Sequence, residues 1–170
     1  SVTYPADIML VAAMNPCPCG FYPNRERCTC TESQIQKYRG RISGPIYDRI
    51  DICVEAKAVE LEQLQRKEEG KSSRELKEQV MRARRVQEKR YLGSPYFFNA
   101  DLENKDIAKY CSLGKEEEKF MENMFYSLNL SARAYHRTLK VARTIADVEE
   151  SEEIKREHLS EAVCYRGFEV

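Results

Sequence analysis

Residues 131–150 read SARAYHRTLKVARTIADVEE and predict a long amphipathic helix. Apolar residues recur here every three or four positions, which places them on one face of an α-helix. They are Leu128, Ala132, Tyr135, Leu139, Ala142 and Ala146. Ser131 precedes the helix as an N-cap, because its hydroxyl can accept a hydrogen bond from the first turn. A helix with one apolar face needs other helices to cover it.

Shorter helices are predicted before this one. Ser72 and Glu75 have the spacing of a capping box for a helix that runs to about Tyr91. Gly93 and Pro95 then end that helix, since neither residue continues one easily.

The rest of the chain after residue 93 also reads as helix. Asn99 is expected to cap a short helix, and Gly114 separates it from KEEEKFMENMFYSLN, residues 115–129. Asn129 is a candidate left-handed C-cap, and REHLSEAVCYR, residues 156–166, forms the last helix. We therefore expect a helical bundle, or lid, over residues 94–170, joined by a helical segment over residues 59–93.

The first third of the chain has a different pattern. DIMLVAA (7–13) is a continuous apolar run and IDICVEA (50–56) alternates, so both predict short β-strands. Between them, Thr31 is a plausible N-cap for ESQIQKYRGRIS, and Ser43 begins a short helix in GPIYDRI. Two strands alone are marginally stable. Residues 1–58 are thus expected to be a small α/β remnant of a larger sheet, in a chain that is otherwise mainly α.

Composition excludes few functional classes. The chain has 28 basic and 28 acidic residues among 170, so no global positive field indicates nucleic acid binding. The longest apolar run, IMLVAAM, is too short to cross a bilayer, and no secretory signal precedes it. Seven cysteines without such a signal favour a reducing compartment, so we expect a cytoplasmic protein without membrane contact.

Four cysteines form two Cys-x-Cys pairs within fourteen residues: Cys17, Cys19, Cys28 and Cys30. Two such pairs can converge on one tetrahedral Zn²⁺. Pro16, Pro18 and Gly20 suit a tight loop, although the spacing differs from the commoner Cys-x-x-Cys. A metal-free loop or a pair of disulfides remains open. The lone cysteines, Cys53, Cys111 and Cys164, are expected to be small core residues.

Three polar residues stand at positions suited to a phosphate site. Asn15 directly follows the first predicted strand, where ligands bind in open sheets, although Asn-Pro is also a common turn. Arg49 ends a short helix, which suits contact with phosphate or an ion pair with Asp48 or Asp51. Arg133 lies in the first turn of the long helix, where cations oppose the helix dipole, so local helix stability does not explain it; an ordinary solvated face is the alternative.

A phosphate-binding loop is not found in the chain. The stretch EGKSS ends like one, but Gln65 stands where the pattern requires glycine and no apolar strand precedes it.

Taken in order, YPADIMLVAAMNPCPCG, CTC, QIQKYRGRISGPIYDRIDI, LSARAYHRTLKVARTIADVE and HLSEAVCYRG resemble the C-terminal portion of magnesium-chelatase-like AAA+ ATPases of the ComM (YifB) type. The resemblance implies a bacterial hexameric ATPase that uses ATP and Mg²⁺, with a helical lid, and that acts on branched DNA during uptake and recombination. It does not imply chelatase activity.

The resemblance also implies roles for single residues. Asn15 matches the sensor-one asparagine, Arg49 in DRID the arginine finger, and Arg133 in SAR the sensor-two arginine. Arg41, eight residues before Arg49, is a further candidate phosphate contact. The Walker A and Walker B motifs of the family have no counterpart here, so this chain would supply only part of an ATP site.

A different interpretation is a zinc-stabilised module that binds nucleic acid without hydrolysing ATP. It would combine the four-cysteine loop with the predicted helix 72–91, where Arg82, Arg85 and Lys89 share one face. Acidic residues are mixed into that face, so a solvated surface is the simpler explanation.

Overall fold

The computed structural model describes residues 2–3, 8–56 and 70–166, with positions 59, 61 and 65 between the two long ranges. The described residues divide into two compact units, one up to residue 43 and one from residue 44 onwards. The predicted division at residues 58 and 93 stays a prediction.

The two predicted strands are wrong where the structure describes them. Residues 8–13 and 50–56 form no strand, and residue 7 lies outside the described residues. A strand requires a neighbour that takes its backbone hydrogen bonds, and no described residue pairs with either stretch as a strand. Met9 is 89% exposed and Val11 82%. The α/β remnant is therefore not seen, whereas the prediction of a mainly α chain is confirmed.

The first unit contains helix α1, Glu32–Arg39. Thr31 caps it as predicted: the Thr31 hydroxyl accepts from the Gln34 N–H at 3.3 Å, and the Gln34 side chain accepts from the Thr31 N–H at 2.9 Å. Ile35 is buried, and Arg39 Nε donates to the Pro16 carbonyl at 3.2 Å. This bond ties α1 to the four-cysteine loop.

The second unit is built around one central helix. Its helices are α2 (Gly44–Tyr47), α3 (Ser73–Arg90), α4 (Asn104–Tyr110), α5 (Lys115–Ser127), α6 (Ala132–Val148) and α7 (Arg156–Cys164), with a 3₁₀ turn at Asn99–Asp101. Helix α6 packs against α3, α4, α7 and the 3₁₀ turn, and α5 packs against α7. The apolar core is formed by Tyr91, Tyr96, Leu102, Ile107, Cys111, Met121, Leu139, Val141, Ala142, Ile154, Leu159 and Ala162.

Most predicted helix ends are confirmed. Ser72 and Glu75 form a reciprocal capping box at α3, and the Ser131 hydroxyl accepts from the Ala134 N–H at 3.1 Å. Asn129 has φ 47° and Gly93 has φ 78°, the left-handed backbone that ends a helix. These signals act within one turn of chain, which is why sequence alone reveals them.

Asn99 does not cap a helix. It begins the 3₁₀ turn and is 1% exposed, and α4 begins only at Asn104. The Asn99 side chain is instead part of a buried hydrogen-bond network. Because the buried amide has no water to bind, its hydrogen bonds go to this network and not to a helix end.

The buried face of α6 is also wider than predicted. Leu139, Ala142 and Ala146 are buried as expected, but Leu128 and Ala132 are exposed. Ala134, Thr138, Val141, Arg143 and Asp147 join the buried face. The charged members are buried because they bind one another, which no apolar pattern can reveal.

The lone cysteines differ from one another. Cys111 is buried as predicted, Cys53 is half-buried, and Cys164 is exposed. The expectation of a core position is wrong for Cys164, which lies at the last turn of α7.

Asp147 is fully buried at the centre of the polar network. Its carboxylate accepts from Arg90 Nη1 at 2.8 Å, from Arg143 Nε at 3.1 Å, and from Asn99 Nδ2 at 2.8 Å. Tyr91 extends the network by donating to Asn99 Oδ1 at 2.7 Å. One carboxylate thus joins α3, the 3₁₀ turn and α6.

We expect Asp147→Asn to destabilise the second unit by about 3 kcal/mol, because it leaves two mostly buried guanidiniums facing a neutral amide. Chemical denaturation followed by helical circular dichroism would measure the loss. The matched control is Glu78→Gln, which breaks the exposed Arg74–Glu78 pair at 3.1 Å and should cost less than about 1 kcal/mol. Equal losses in the two variants would contradict the role of Asp147.

Candidate functional site

The four cysteines of the first unit converge. The Sγ atoms of Cys17 and Cys19 are 3.4 Å apart, those of Cys19 and Cys28 are 3.6 Å apart, and those of Cys17 and Cys28 are 3.8 Å apart. With Cys30, all four lie within 4.8 Å of one another as free thiols. Cys17 is buried and the other three are half-buried.

These spacings match a tetrahedral zinc site. Four sulfurs at about 2.3 Å from a tetrahedral Zn²⁺ lie about 3.8 Å from one another. The Sγ separations of 3.4 to 3.8 Å among Cys17, Cys19 and Cys28 are close to that value. Each Cys-x-Cys pair contributes two of the four sulfurs. The cluster can therefore hold a tetrahedral metal ion with little rearrangement.

The thiols are electrostatically unequal. A backbone hydrogen bond from Phe21 is the main cause that lowers the pKa of Cys19 to about 5. A backbone hydrogen bond from Cys19 favours ionisation of Cys30, but desolvation and the neighbouring sulfurs outweigh it and raise the pKa of Cys30 to about 11. Four adjacent thiolates repel one another, so the fully ionised cluster requires a cation.

Local interactions shape the loop around the sulfurs. The Gly20 N–H donates to the Cys17 carbonyl at 3.1 Å, and the Tyr22 N–H donates to Cys17 Sγ at 3.5 Å. Gly20 has φ 82°, a conformation that favours glycine. The Tyr22 ring contacts two guanidiniums, those of Arg25 at 4.9 Å and Arg39 at 4.8 Å. The loop is thereby held around its first cysteine.

Asn15 lies beside this loop in the first unit. It is exposed, and a Cβ atom at Gly20 would lie 3.8 Å from Asn15 Nδ2. Arg41 is exposed in the same unit, with its guanidinium 5.9 Å from the Tyr38 ring centroid. Cys19, Cys30 and Arg41 border one shallow groove.

Arg49 lies in the second unit, just after α2. Its side chain is exposed, and Nη1 donates to the Pro45 carbonyl at 2.9 Å. The predicted ion pair with Asp48 or Asp51 is not seen. Asp48 accepts from Ser131 Oγ at 3.1 Å, and Asp51 pairs with Arg137. The guanidinium of Arg49 is thus not neutralised by the two acidic residues nearest to it in sequence.

Arg133 occupies the first turn of α6, as predicted, and is exposed. Within the described ranges no hydrogen bond or ion pair engages its side chain. The Ser131–Asp48 bond joins the start of α6 to the segment that carries Arg49. The structure thus brings the segments of Arg49 and Arg133 together in one unit, whereas Asn15 and Arg41 belong to the other.

Arg166 is a residue that the sequence pattern does not single out. It lies two residues after the end of α7, and its half-buried guanidinium donates to backbone carbonyls around Arg49, including Tyr47 O at 3.4 Å. Nothing in the local pattern distinguishes it from an ordinary cation at a helix end, where such residues are common.

Basic residues cluster on the exposed side of α3. Arg74, Lys77 and Arg85 line a shallow groove with Met81 and Arg82, and Glu78 also borders it. Arg82 pairs with Glu150 at 3.1 Å, with both side chains about half exposed. The face is basic but partly neutralised.

Among the helices that the structure describes, none has both the length and the apolar character needed to cross a membrane.

Two family models match the chain. The model described as magnesium chelatase, subunit ChlI, matches residues 1–64. The model described as magnesium chelatase, subunit ChlI C-terminal, matches residues 70–166. Together they cover both units.

Curated relatives match over almost the whole chain. The uncharacterised protein YifB of Escherichia coli K12 is 42% identical over 169 residues, and that of Salmonella typhimurium LT2 is 41% identical, each over 99% of this chain. Competence protein ComM of Haemophilus influenzae is 40% identical over 98% of this chain. The chain spans about a third (32%) of the length of each of these relatives.

Proposed function

The chain belongs to the magnesium chelatase family, and on this premise we propose that it supplies part of the ATP-hydrolysing site of a ring-forming AAA+ ATPase. The observation that carries the proposal is the exposed guanidinium of Arg49, whose neighbouring carboxylates are engaged by Ser131 and Arg137. A cation that no acidic side chain neutralises among the described residues of its unit is available to a phosphate.

Three residues have separate roles in this proposal. Asn15 orients the attacking water or a phosphate oxygen, because its amide can both donate and accept hydrogen bonds. Arg49 stabilises the charge that develops on the transferred phosphoryl group of a neighbouring subunit. Arg133 contacts nucleotide phosphate from the lid. Arg41 remains a further candidate for phosphate contact.

ATP and Mg²⁺ would bind mainly through residues outside this chain. The Mg²⁺ ion would neutralise the β- and γ-phosphate oxygens during transfer. What this chain contributes is positioning and positive charge. A subunit arrangement in which Arg49 reaches the next nucleotide requires self-association, and we propose the hexamer that the family resemblance implies.

The four cysteines are proposed to hold one structural Zn²⁺. Four thiolates leave no open position for water, which is typical of structural and not catalytic zinc. Zinc bound to Cys17 would hold the backbone two residues after Asn15. The metal would thereby stabilise the loop that presents Asn15.

The proposal is tested by comparing ATP hydrolysis in the full-length protein and in the 170-residue chain. We expect turnover from the full-length protein and none above background from the chain, because the phosphate-binding loop that holds the triphosphate is not found in it. Release of inorganic phosphate, measured with the same concentration of each protein, would show the difference. Turnover by the chain that survives loss of Arg49 and Arg133 would contradict the proposal.

Nucleic acid binding is a second candidate function, in the full-length motor or as a module without ATPase activity. The basic groove on α3 favours it, and one relative is named a competence protein. We propose DNA as the partner, with branched DNA during uptake and recombination as the substrate.

We expect Arg74→Ala with Arg85→Ala to weaken DNA binding by the chain and to reduce its salt dependence, since each phosphate contact releases counterions. Fluorescence anisotropy of a labelled duplex over a salt series would measure both. The control is Lys109→Ala, on α4 outside the groove. Binding that is unchanged in the double variant would exclude this face.

A further inference from the structure

Arg166 makes contacts that its place in the sequence does not explain. We propose that Arg166 is a positioning residue for Arg49, holding the turn 47–50 in one conformation from the C-terminal end of α7. The inference rests on the proposed role of Arg49 as a phosphate contact, and it adds a residue that fixes the position of the Arg49 backbone.

The contacts of Arg166 converge on the backbone around Arg49. Nη1 donates to the carbonyls of Tyr47, at 3.4 Å, and Ile50, and Nη2 donates to the carbonyl of Asp48 at 3.5 Å. These carbonyls lie on both sides of Arg49. They lie at or just after the end of helix α2, Gly44–Tyr47, and the C-terminal end of a helix attracts a cation.

A second set of contacts holds the same segment from α6 and α7. Ser131 Oγ donates to Asp48 Oδ2 at 3.1 Å, and Arg137 pairs with Asp51. The Cys53 N–H donates to the Tyr165 carbonyl at 3.1 Å, one residue before Arg166. The segment is therefore anchored before and after Arg49, whereas the Arg49 side chain stays exposed.

The anchoring has a direct consequence for a cation that must reach a phosphate. Misplacement of a catalytic contact by about 1 Å can cost about a hundredfold in rate. Helix α2 has only four residues, too few to hold its own geometry in isolation. The fork of the Arg166 guanidinium supplies the missing constraint because it contacts three carbonyls at once.

The structural half of the inference is tested in the 170-residue chain. We expect Arg166→Gln to accelerate amide hydrogen exchange at Arg49 and Ile50 about tenfold or more. These amides are informative because they donate to Ile46 O at 2.9 Å and Tyr47 O at 3.1 Å. Exchange in the centre of α6 should be unchanged.

Two further variants make this test specific. Arg166→Lys keeps the charge but not the fork, so its exchange rates should lie between those of Arg166→Gln and the unchanged chain; it also serves if Arg166→Gln does not fold. The matched control is Arg156→Gln, an exposed arginine in the first turn of α7 whose guanidinium lies 5.2 Å from the Phe120 ring centroid. It should leave the amides of Arg49 and Ile50 unaffected.

The functional half is tested in the full-length protein. Arg166→Gln should lower kcat for ATP hydrolysis about tenfold to a hundredfold with little change in KM, and Arg156→Gln should have no effect. Adding Arg166→Gln to Arg49→Ala should cause no further loss, because both changes act on the same contact.

The outcomes separate the two claims. If exchange at Arg49 and Ile50 is unchanged while Arg49→Ala is inactive, the positioning role is wrong and the proposed function stands. If Arg166→Gln accelerates exchange at Arg49 and Ile50 but leaves kcat unchanged, the positioning role is again wrong and the proposed function stands. If Arg49→Ala keeps full turnover, the proposed function is wrong and the positioning role fails with it.

Discussion

Arg49→Ala should lower the rate of ATP hydrolysis by the full-length protein about a thousandfold or more and leave nucleotide binding largely intact. The reason is that a cation supplied by a neighbouring subunit acts on the charge of the transition state and contributes little to the affinity of the bound ground state. Arg49 fits this role because it is exposed and its adjacent carboxylates, Asp48 and Asp51, are engaged elsewhere.

Steady-state phosphate release and binding of a fluorescent ATP analogue would measure the two effects separately. Arg156→Ala is the matched control, since Arg156 is also an exposed arginine of the second unit and has no proposed role at the nucleotide. Mixing Arg49→Ala subunits with subunits that lack a working phosphate-binding loop should restore some hydrolysis. The first kind supplies an intact phosphate-binding loop, and the second kind supplies Arg49 to the neighbouring site. If Arg49→Ala loses binding but keeps its turnover number, the assignment is wrong and Arg41 becomes the candidate.

The second prediction is that the chain, purified under reducing conditions without chelator, contains close to one Zn²⁺ per molecule. Cys17→Ser or Cys28→Ser should each abolish stoichiometric binding, because the two residues come from different Cys-x-Cys pairs and a tetrahedral site needs both. Structural zinc contributes about 10 kcal/mol or more to the folding of small domains. The first unit, which has one buried apolar side chain besides Cys17 among its described residues, should therefore unfold when zinc is removed.

Metal analysis with thiol titration would measure occupancy, and amide exchange at Ile35 in α1 would report folding of the first unit. Cys164→Ser is the control, since this exposed cysteine lies outside the cluster. Loss of zinc should accelerate exchange in α1 and leave α6 unaffected. Seven freely titrating thiols in a folded, metal-free chain would rule out the site.

Local sequence signals were sufficient for most helix ends of the described chain. Ser72, Ser131 and Asn129 act on backbone groups within one turn, so their effect does not depend on the rest of the chain. The close approach of the Cys17 and Cys19 thiols to those of Cys28 and Cys30 was also predictable, because the short loop between the two Cys-x-Cys pairs limits how far apart they can lie. The family could be recognised from the order of several motifs, although none of them is specific alone.

The predictions for the strands and for Asn99 failed for one physical reason: the structure there depends on partners that are distant in sequence. The stretch from Ile8 to Val11 has the composition of a buried strand, but a strand depends on a neighbour that composition does not supply. Asn99 is a residue type that often caps helices, but its side chain instead donates to the buried carboxylate of Asp147, 48 residues away.

The sequence by itself determined where most helices of the described chain begin and end, which cysteines could share a metal, and which family the chain resembles. These properties depend on residues that are close along the chain or on motif order. Only the tertiary structure decided that Asp147 holds two guanidiniums and that Arg166 binds the turn beside Arg49. Such contacts join residues that are up to 119 positions apart, and their energy comes from excluding water around both partners, which no local pattern encodes.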